Sequence, residues 1–65
     1  MNNVYMRYSK LRDARNETNY SVAKATGISN GSFDDWKKDK YVPSTKSLMK
    51  LAKYFGVTVD YFLGD

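Results

Sequence analysis

The stretch TNYSVAKATGISNGSFDDW, Thr18 to Trp36, decides the fold. Thr18 is a good N-cap for a short helix over 19–26, in which Val22, Ala23 and Thr26 face inward. Gly27 supplies the residue able to take a positive φ where that helix stops, and Ile28 plugs the turn that follows. Ser29 or Asn30 can cap a further helix over 30–38, whose Phe33 and Trp36 lie one turn apart and face the core. Two helices cross closely only where small residues meet, and Ala23, four positions before Gly27, is such a residue.

Working outward, Val4, Tyr8 and Leu11 recur at helical spacing while Arg7, Lys10, Asp13 and Arg15 fall elsewhere, so a first amphipathic helix with a basic polar face spans 3–15. After the central pair, Pro43 cannot continue a helix and Ser44 can cap the next one, over 45–55. Its buried stripe is Leu48, Leu51, Ala52 and Phe55, and Gly56 is its stop. Thr58 can cap a last short helix, 59–63, carrying Val59, Phe62 and Leu63. No segment alternates with period two, and no repeat or linker divides the chain. The expectation is a single all-α, five-helix domain over residues 1–65.

The bulk numbers narrow what such a domain can do. At 65 residues it buries only about 60% of the surface its unfolded chain exposes, so nearly every apolar residue is needed in the core. Without cysteine or histidine there is no disulfide, no thiolate or imidazole metal ligand, and no side chain that ordinarily titrates near neutral pH. No nucleophile, metal-ligand cluster or Gly-rich phosphate loop accompanies the Asp and Lys residues, so an enzyme and a cofactor are not expected. The apolar runs fall far short of a membrane span, which makes a cytoplasmic location the expectation. Eleven Lys and Arg against seven Asp and Glu give a net charge of +4, attractive to polyanions.

The run TNYSVAKATGISNGSFDDWKKDKYVPSTKSLMKLAKYFGVTVDYFLGD resembles the lambda-repressor-like, Cro/Xre-type helix-turn-helix family of phage repressors, and LRDARNETN ahead of it is similar to that family's first helix. Its most telling pieces are ATGIS, the Phe33/Trp36 pair, VPS and LMKLAKYFGVTVDYFL. The resemblance implies a sequence-specific DNA-binding regulator, a phage-type repressor that is bacterial or phage-encoded and nucleoid-associated, with no small-molecule substrate. It implies that the third helix enters the major groove of double-stranded DNA, the second crosses the backbone, and a homodimer spans two half-sites of a pseudo-palindrome.

Carried over residue by residue, the resemblance puts base readout on Asn30, Gly31, Ser32 and Asp35. Phosphate contacts fall on Asn19 with Thr18 beside it, and on Lys37, Lys38 and Lys40. Some positions depart from the family's pattern. Glu17 stands where Leu is usual, Asn19 where Gln is frequent, and Asp39 where a Gly closes the third helix. Lys37 stands where many members place an acid able to pair with a first-helix Arg corresponding to Arg12, so Arg12 must find another partner or point at solvent.

Asp34 and Asp35 lie near the groove side of a helix meant to meet phosphates. Repulsion at ~6–8 Å costs under about 1 kcal/mol in water, so it does not forbid binding. Asp34 precedes Lys37 and Lys38 in the favourable acid-before-base order, and both aspartates are expected toward the positive end of the helix dipole. Asp35 can accept from the cytosine N4 amino group, or simply stabilise its helix. Gly31 permits close backbone approach, and Asn30 can bond adenine or cap its own helix. Tyr54 and Tyr61 are candidates for a dimer surface, or for half-buried packing with the hydroxyl in water. The alternative function is a protein-interaction module that binds another regulator through the acidic third helix or the tyrosine-bearing C-terminal end.

Overall fold

In the computed structural model, which describes residues 3–64, the chain forms five helices: α1 (Asn3–Ala14), α2 (Asn19–Thr26), α3 (Asn30–Lys37), α4 (Thr45–Phe55) and α5 (Val59–Leu63). No strand occurs among the described residues. The ends of the 1–65 domain, Met1, Asn2 and Asp65, lie outside them. The bounds depart from the sequence reading only at two C-termini: α1 stops at Ala14 instead of residue 15, and α3 at Lys37 instead of residue 38. The α5 helix packs on α1 and α4, while α2 packs on both α3 and α4.

The core is built from Tyr8, Val22, Ala23, Ile28, Phe33, Trp36, Leu48, Leu51, Ala52 and Phe62, all buried. Aromatic rings join the helices. Tyr8 lies 5.1 Å from Phe33 between ring centroids, and Phe33 lies edge-on to Trp36 at 4.7 Å. Phe55, placed in the buried stripe of α4, is only half-buried and meets Tyr8 at 6.1 Å. Leu63 turns outward and is 57% exposed, because the five-residue α5 has room for one fully buried side chain, Phe62.

Helix ends show how local chemistry sets this arrangement. Thr18 forms a reciprocal capping box: its Oγ1 accepts from the Ser21 N–H at 3.1 Å, and its own N–H donates to Ser21 Oγ at 3.1 Å. Ser44 Oγ accepts from the Ser47 N–H at 3.2 Å. Ser29 and Thr58 occupy the cap positions of α3 and α5 through their backbones alone, with no side-chain cap bond. The α2 helix is closed by the Gly27 N–H, which donates to the Ala23 carbonyl at 2.9 Å with φ at +81°.

Two other helices close in the same left-handed way without glycine. Asn16 (φ +56°) ends α1, with the Glu17 N–H reaching the Arg12 carbonyl and the Asn16 N–H that of Asp13. Asp39 (φ +59°) ends α3, with the Lys40 N–H reaching the Asp35 carbonyl at 2.9 Å and the Asp39 N–H that of Trp36 at 3.2 Å. Both are Schellman closures, and both place a Cβ in a backbone region that glycine occupies more freely. Asp39→Gly is therefore expected to stabilise the domain by about 0.5–1 kcal/mol, raising its melting temperature by roughly 4 °C. Gly27→Ala is expected to do the reverse by about 1 kcal/mol. Space is not the issue, since no atom lies within 4 Å of the added Cβ. Thermal melts of the two variants check both signs.

Candidate nucleic-acid interface

Phe33 and Trp36 pin α3 to the core, which turns its other residues outward. Asn30, Gly31 and Asp34 are exposed, and Ser32 and Asp35 half-buried. Among the described residues, the side chains of Asn30, Ser32, Asp34 and Asp35 take part in no hydrogen bond or ion pair. The structure therefore leaves the residues proposed for base readout with their polar groups available. A Cβ at Gly31 would meet only Ser29 Oγ, at an ordinary 3.7 Å, so packing does not require glycine there.

Two expectations for the aspartates need correction. Because α3 begins at Asn30 and ends at Lys37, Asp34 and Asp35 lie in its second half, with no acid in the first turn. The helix dipole consequently does not favour them. Nor does Asp34 pair with Lys37 or Lys38 within 4.0 Å. The helix terminates there, and backbone bonds from Lys38 and Lys40 to the carbonyls of Asp34 and Asp35 close it while the long side chains remain in solvent. Lys37, Lys38 and Lys40 are all exposed.

At the start of α2, Thr18 spends its hydroxyl on the capping box, and Asn19 is engaged in a polar network with α1. Asn19 Oδ1 accepts from the Tyr8 hydroxyl at 2.6 Å and from Arg12 Nη1 at 2.9 Å. Its Nδ2 donates to the Tyr5 hydroxyl at 3.1 Å, which also accepts from Arg12 Nη1 at 3.2 Å. Arg12, deprived of an acid at position 37, thus finds Asn19 and Tyr5, and pairs with Asp13 at 2.9 Å. The network ties α1 to the first residue of α2, so any phosphate contact by Asn19 begins from a side chain already oriented.

The three arginines all lie over aromatic rings: Arg7 over Tyr61 at 5.9 Å, Arg12 over Tyr8 at 5.6 Å, and Arg15 over Tyr54 and Phe55 at 5.0 and 5.2 Å. The basic face read on α1 is thus partly internal, with Lys10 exposed among its cations. Glu17, where the family usually has Leu, accepts from the Tyr54 hydroxyl at 2.7 Å and the Ser21 hydroxyl at 3.2 Å. That carboxylate hydrogen bond holds the Tyr54 hydroxyl above its ordinary pKa. Tyr61 donates to the Arg7 carbonyl at 3.4 Å. Both tyrosines are half-buried, with their hydroxyls directed into the chain's own contacts.

Sequence reasoning missed the network of Tyr5, Tyr8, Arg12 and Asn19. Its signal was present in part, since Tyr5, Tyr8 and Arg12 share one face of α1 at spacings of three and four. The Glu17–Tyr54 bond joins positions 37 apart and had no local signal.

The family model of the Cro/C1-type HTH DNA-binding domain matches residues 8–64. The chain belongs to that family. This Cro/C1-type domain is 31% identical over 58 residues to the HTH-type transcriptional regulator ImmR of Bacillus subtilis (strain 168), a match covering 85% of the chain and 46% of that relative. The chain thus spans about half of the Bacillus regulator's length. It is 39% identical over 49 residues to the uncharacterized HTH-type transcriptional regulator MJ0272 of Methanocaldococcus jannaschii, covering 75% of the chain and 74% of the relative. No solved structure matches it significantly. Among the described residues no helix is long and apolar enough to cross a membrane, and no group of three acidic residues is placed to hold a metal ion.

Burial pushes the Tyr8 hydroxyl of the Cro/C1-type domain well above the ordinary tyrosine pKa, although nearby Arg12 opposes the shift. A raised acid keeps its proton longer when folded, so its contribution is fully present below about pH 10 and is lost as pH rises toward the folded value. Stability is expected to fall above about pH 10, and Tyr8→Phe to flatten that decline. The same change is expected to cost about 1–2 kcal/mol at pH 7 through the lost bond to Asn19. Thermal melts from neutral to alkaline pH measure both effects.

Proposed function

We propose that the chain is a sequence-specific transcriptional regulator, a phage-type repressor, that reads the major groove with α3 as a homodimer on a pseudo-palindromic operator. The observation that carries this reading is the outward row of Asn30, Gly31, Ser32 and Asp35 on a helix fixed from behind by Phe33 and Trp36. Side chains without intramolecular partners can exchange water for base edges at no cost to the fold. Lys37 at the end of the helix and Lys38 and Lys40 after it supply phosphate contacts; Thr18 and Asn19 do so from the start of α2. Two copies present their α3 helices to half-sites about 34–36 Å apart. The half-buried Tyr61 and exposed Leu63 give α5 an apolar surface for that pairing, with Tyr54 on the neighbouring α4. The cytoplasm, in contact with bacterial or phage DNA, is the compartment this function requires.

Selection of random duplex DNA at two salt concentrations tests the reading. A two-fold-symmetric motif whose binding weakens with salt is the expected outcome. Failure of folded protein to enrich any motif, also when fused to a dimerising partner, would overturn it. Asp35→Ala is expected to relax one cytosine-dependent position per half-site, losing about 1–3 kcal/mol of discrimination there. Gly31→Ala is expected to leave stability unchanged or raise it by up to about 1 kcal/mol while weakening DNA binding, because the space beside the backbone is then filled. Repeating the selection and melts on these variants separates reading from folding.

A further inference from the structure

The dipeptide Asn30–Gly31 opens α3 and carries a covalent chemistry of its own. Of the chain's asparagines Asn30 alone precedes glycine; the others precede Asn3, Val4, Glu17 and Tyr20. A backbone nitrogen reaches the side-chain amide carbon of the residue before it most readily where no Cβ crowds the approach, and glycine has none. Packing gives no other account of this glycine, since a Cβ there would meet only Ser29 Oγ, at 3.7 Å.

Both reacting groups are accessible. Asn30 is exposed, and its amide has no partner among the described residues. Asn19, by contrast, has its amide held by Tyr8, Arg12 and Tyr5. The Gly31 N–H, at the second position of α3, lacks an intrahelical carbonyl and donates to no other described group. Attack requires the Asn30 side chain to fold over the next amide, a geometry reached when the first turn of the helix opens. That turn is the less secured kind: Thr18 and Ser44 cap α2 and α4 with their hydroxyls, whereas Ser29 gives α3 no side-chain cap bond. The product is also favoured where it forms. α3 has no acid in its first turn, and a carboxylate there interacts well with the helix dipole.

We propose that Asn30–Gly31 is a site of spontaneous deamidation, through which α3 acquires a negative charge at its first residue as the molecule ages. The Gly31 nitrogen gives its proton to water and bonds to Asn30 Cγ, and the side-chain nitrogen leaves as ammonia. The cyclic imide then takes up one water at either carbonyl, opening to aspartate or to isoaspartate, which lengthens the main chain by a methylene. One water is consumed and one ammonia released, with no change of oxidation state. The consequence for DNA rests on the DNA-binding reading given above: the product lacks the amide donor and repels phosphate, and a bound duplex shields the dipeptide, so free copies age first.

The test incubates the folded full chain in neutral buffer and follows the tryptic peptide spanning 25–37 by mass spectrometry, beside a synthetic peptide of the same sequence. Exchange of the amide NH2 for OH is expected at Asn30 and not at Asn16 or Asn19. Its rate is expected to be no more than about tenfold below that of the free peptide, since a helix end opens at little cost. Gly31→Ala is expected to slow it at least about tenfold in both. Asn30 left intact in the folded chain while the free peptide is consumed overturns the site, as does equal conversion at Asn16 or Asn19. Asn30→Asp, a uniform form of one product, is expected to melt no lower than the unmodified chain and to bind the selected duplex roughly five- to hundredfold more weakly. Unchanged affinity overturns the consequence for DNA. If the unmodified chain binds no duplex, the DNA-binding reading fails, and the mass change at Asn30 still decides the modification.

Discussion

The contact between Tyr8 and Phe33 is the constraint on which the rest of the structure depends. Their ring centroids, 5.1 Å apart, join the middle of α1 to the buried face of α3, and Trp36 extends the stack by a further 4.7 Å step. Once those faces are committed to the core, helical periodicity leaves Asn30, Gly31 and Asp35 on the opposite side. The candidate interface is in this sense a by-product of burial. Packing decides which side chains are free, and the free ones are polar.

The same tyrosine works at its other end. Its hydroxyl reaches Asn19, so one residue fixes α3 through its ring and the N-terminus of α2 through its oxygen. The angle between the two helices of the motif is therefore referred to α1 as well as to the Gly27 turn. Arg12 joins both polar partners of Tyr8's neighbourhood, Asn19 and Tyr5, which lets the domain do without the acid usual at position 37. Part-buried polar groups of this kind hold a geometry when every member is satisfied, and here each has at least one partner.

Much of this was legible in the sequence because its signals are local. Thr18, Gly27, Pro43, Ser44 and Gly56 punctuate the chain, and the apolar spacing between them identifies the faces that pack. The two helix ends that were overextended, at residues 15 and 38, are closed by Asn16 and Asp39 in left-handed conformations. Neither residue advertises a stop as strongly as glycine. The candidate site was legible at α3 because residues opposite Phe33 and Trp36 must point outward. What escaped was long-range: the Glu17–Tyr54 bond, the seating of Arg15 on α4, and the commitment of Asn19 to α1 all depend on helices meeting in space. The supposed help from the helix dipole failed for a simpler reason, that an eight-residue helix has little length before its middle is passed.

Among the described residues, all three arginines sit on aromatic rings, whereas of the eight lysines only Lys24 is placed over one. Guanidinium groups are planar and weakly hydrated, so they seat on ring faces even where the site is open, as at the exposed Arg15; ammonium groups are strongly hydrated, and all eight lysines are exposed. The chain thus carries two kinds of positive charge, guanidinium groups that also help to assemble the domain and ammonium groups that leave it unaffected, and both count in its net charge of +4. Substitution among the ammonium groups can therefore shift the net charge while the architecture is untouched.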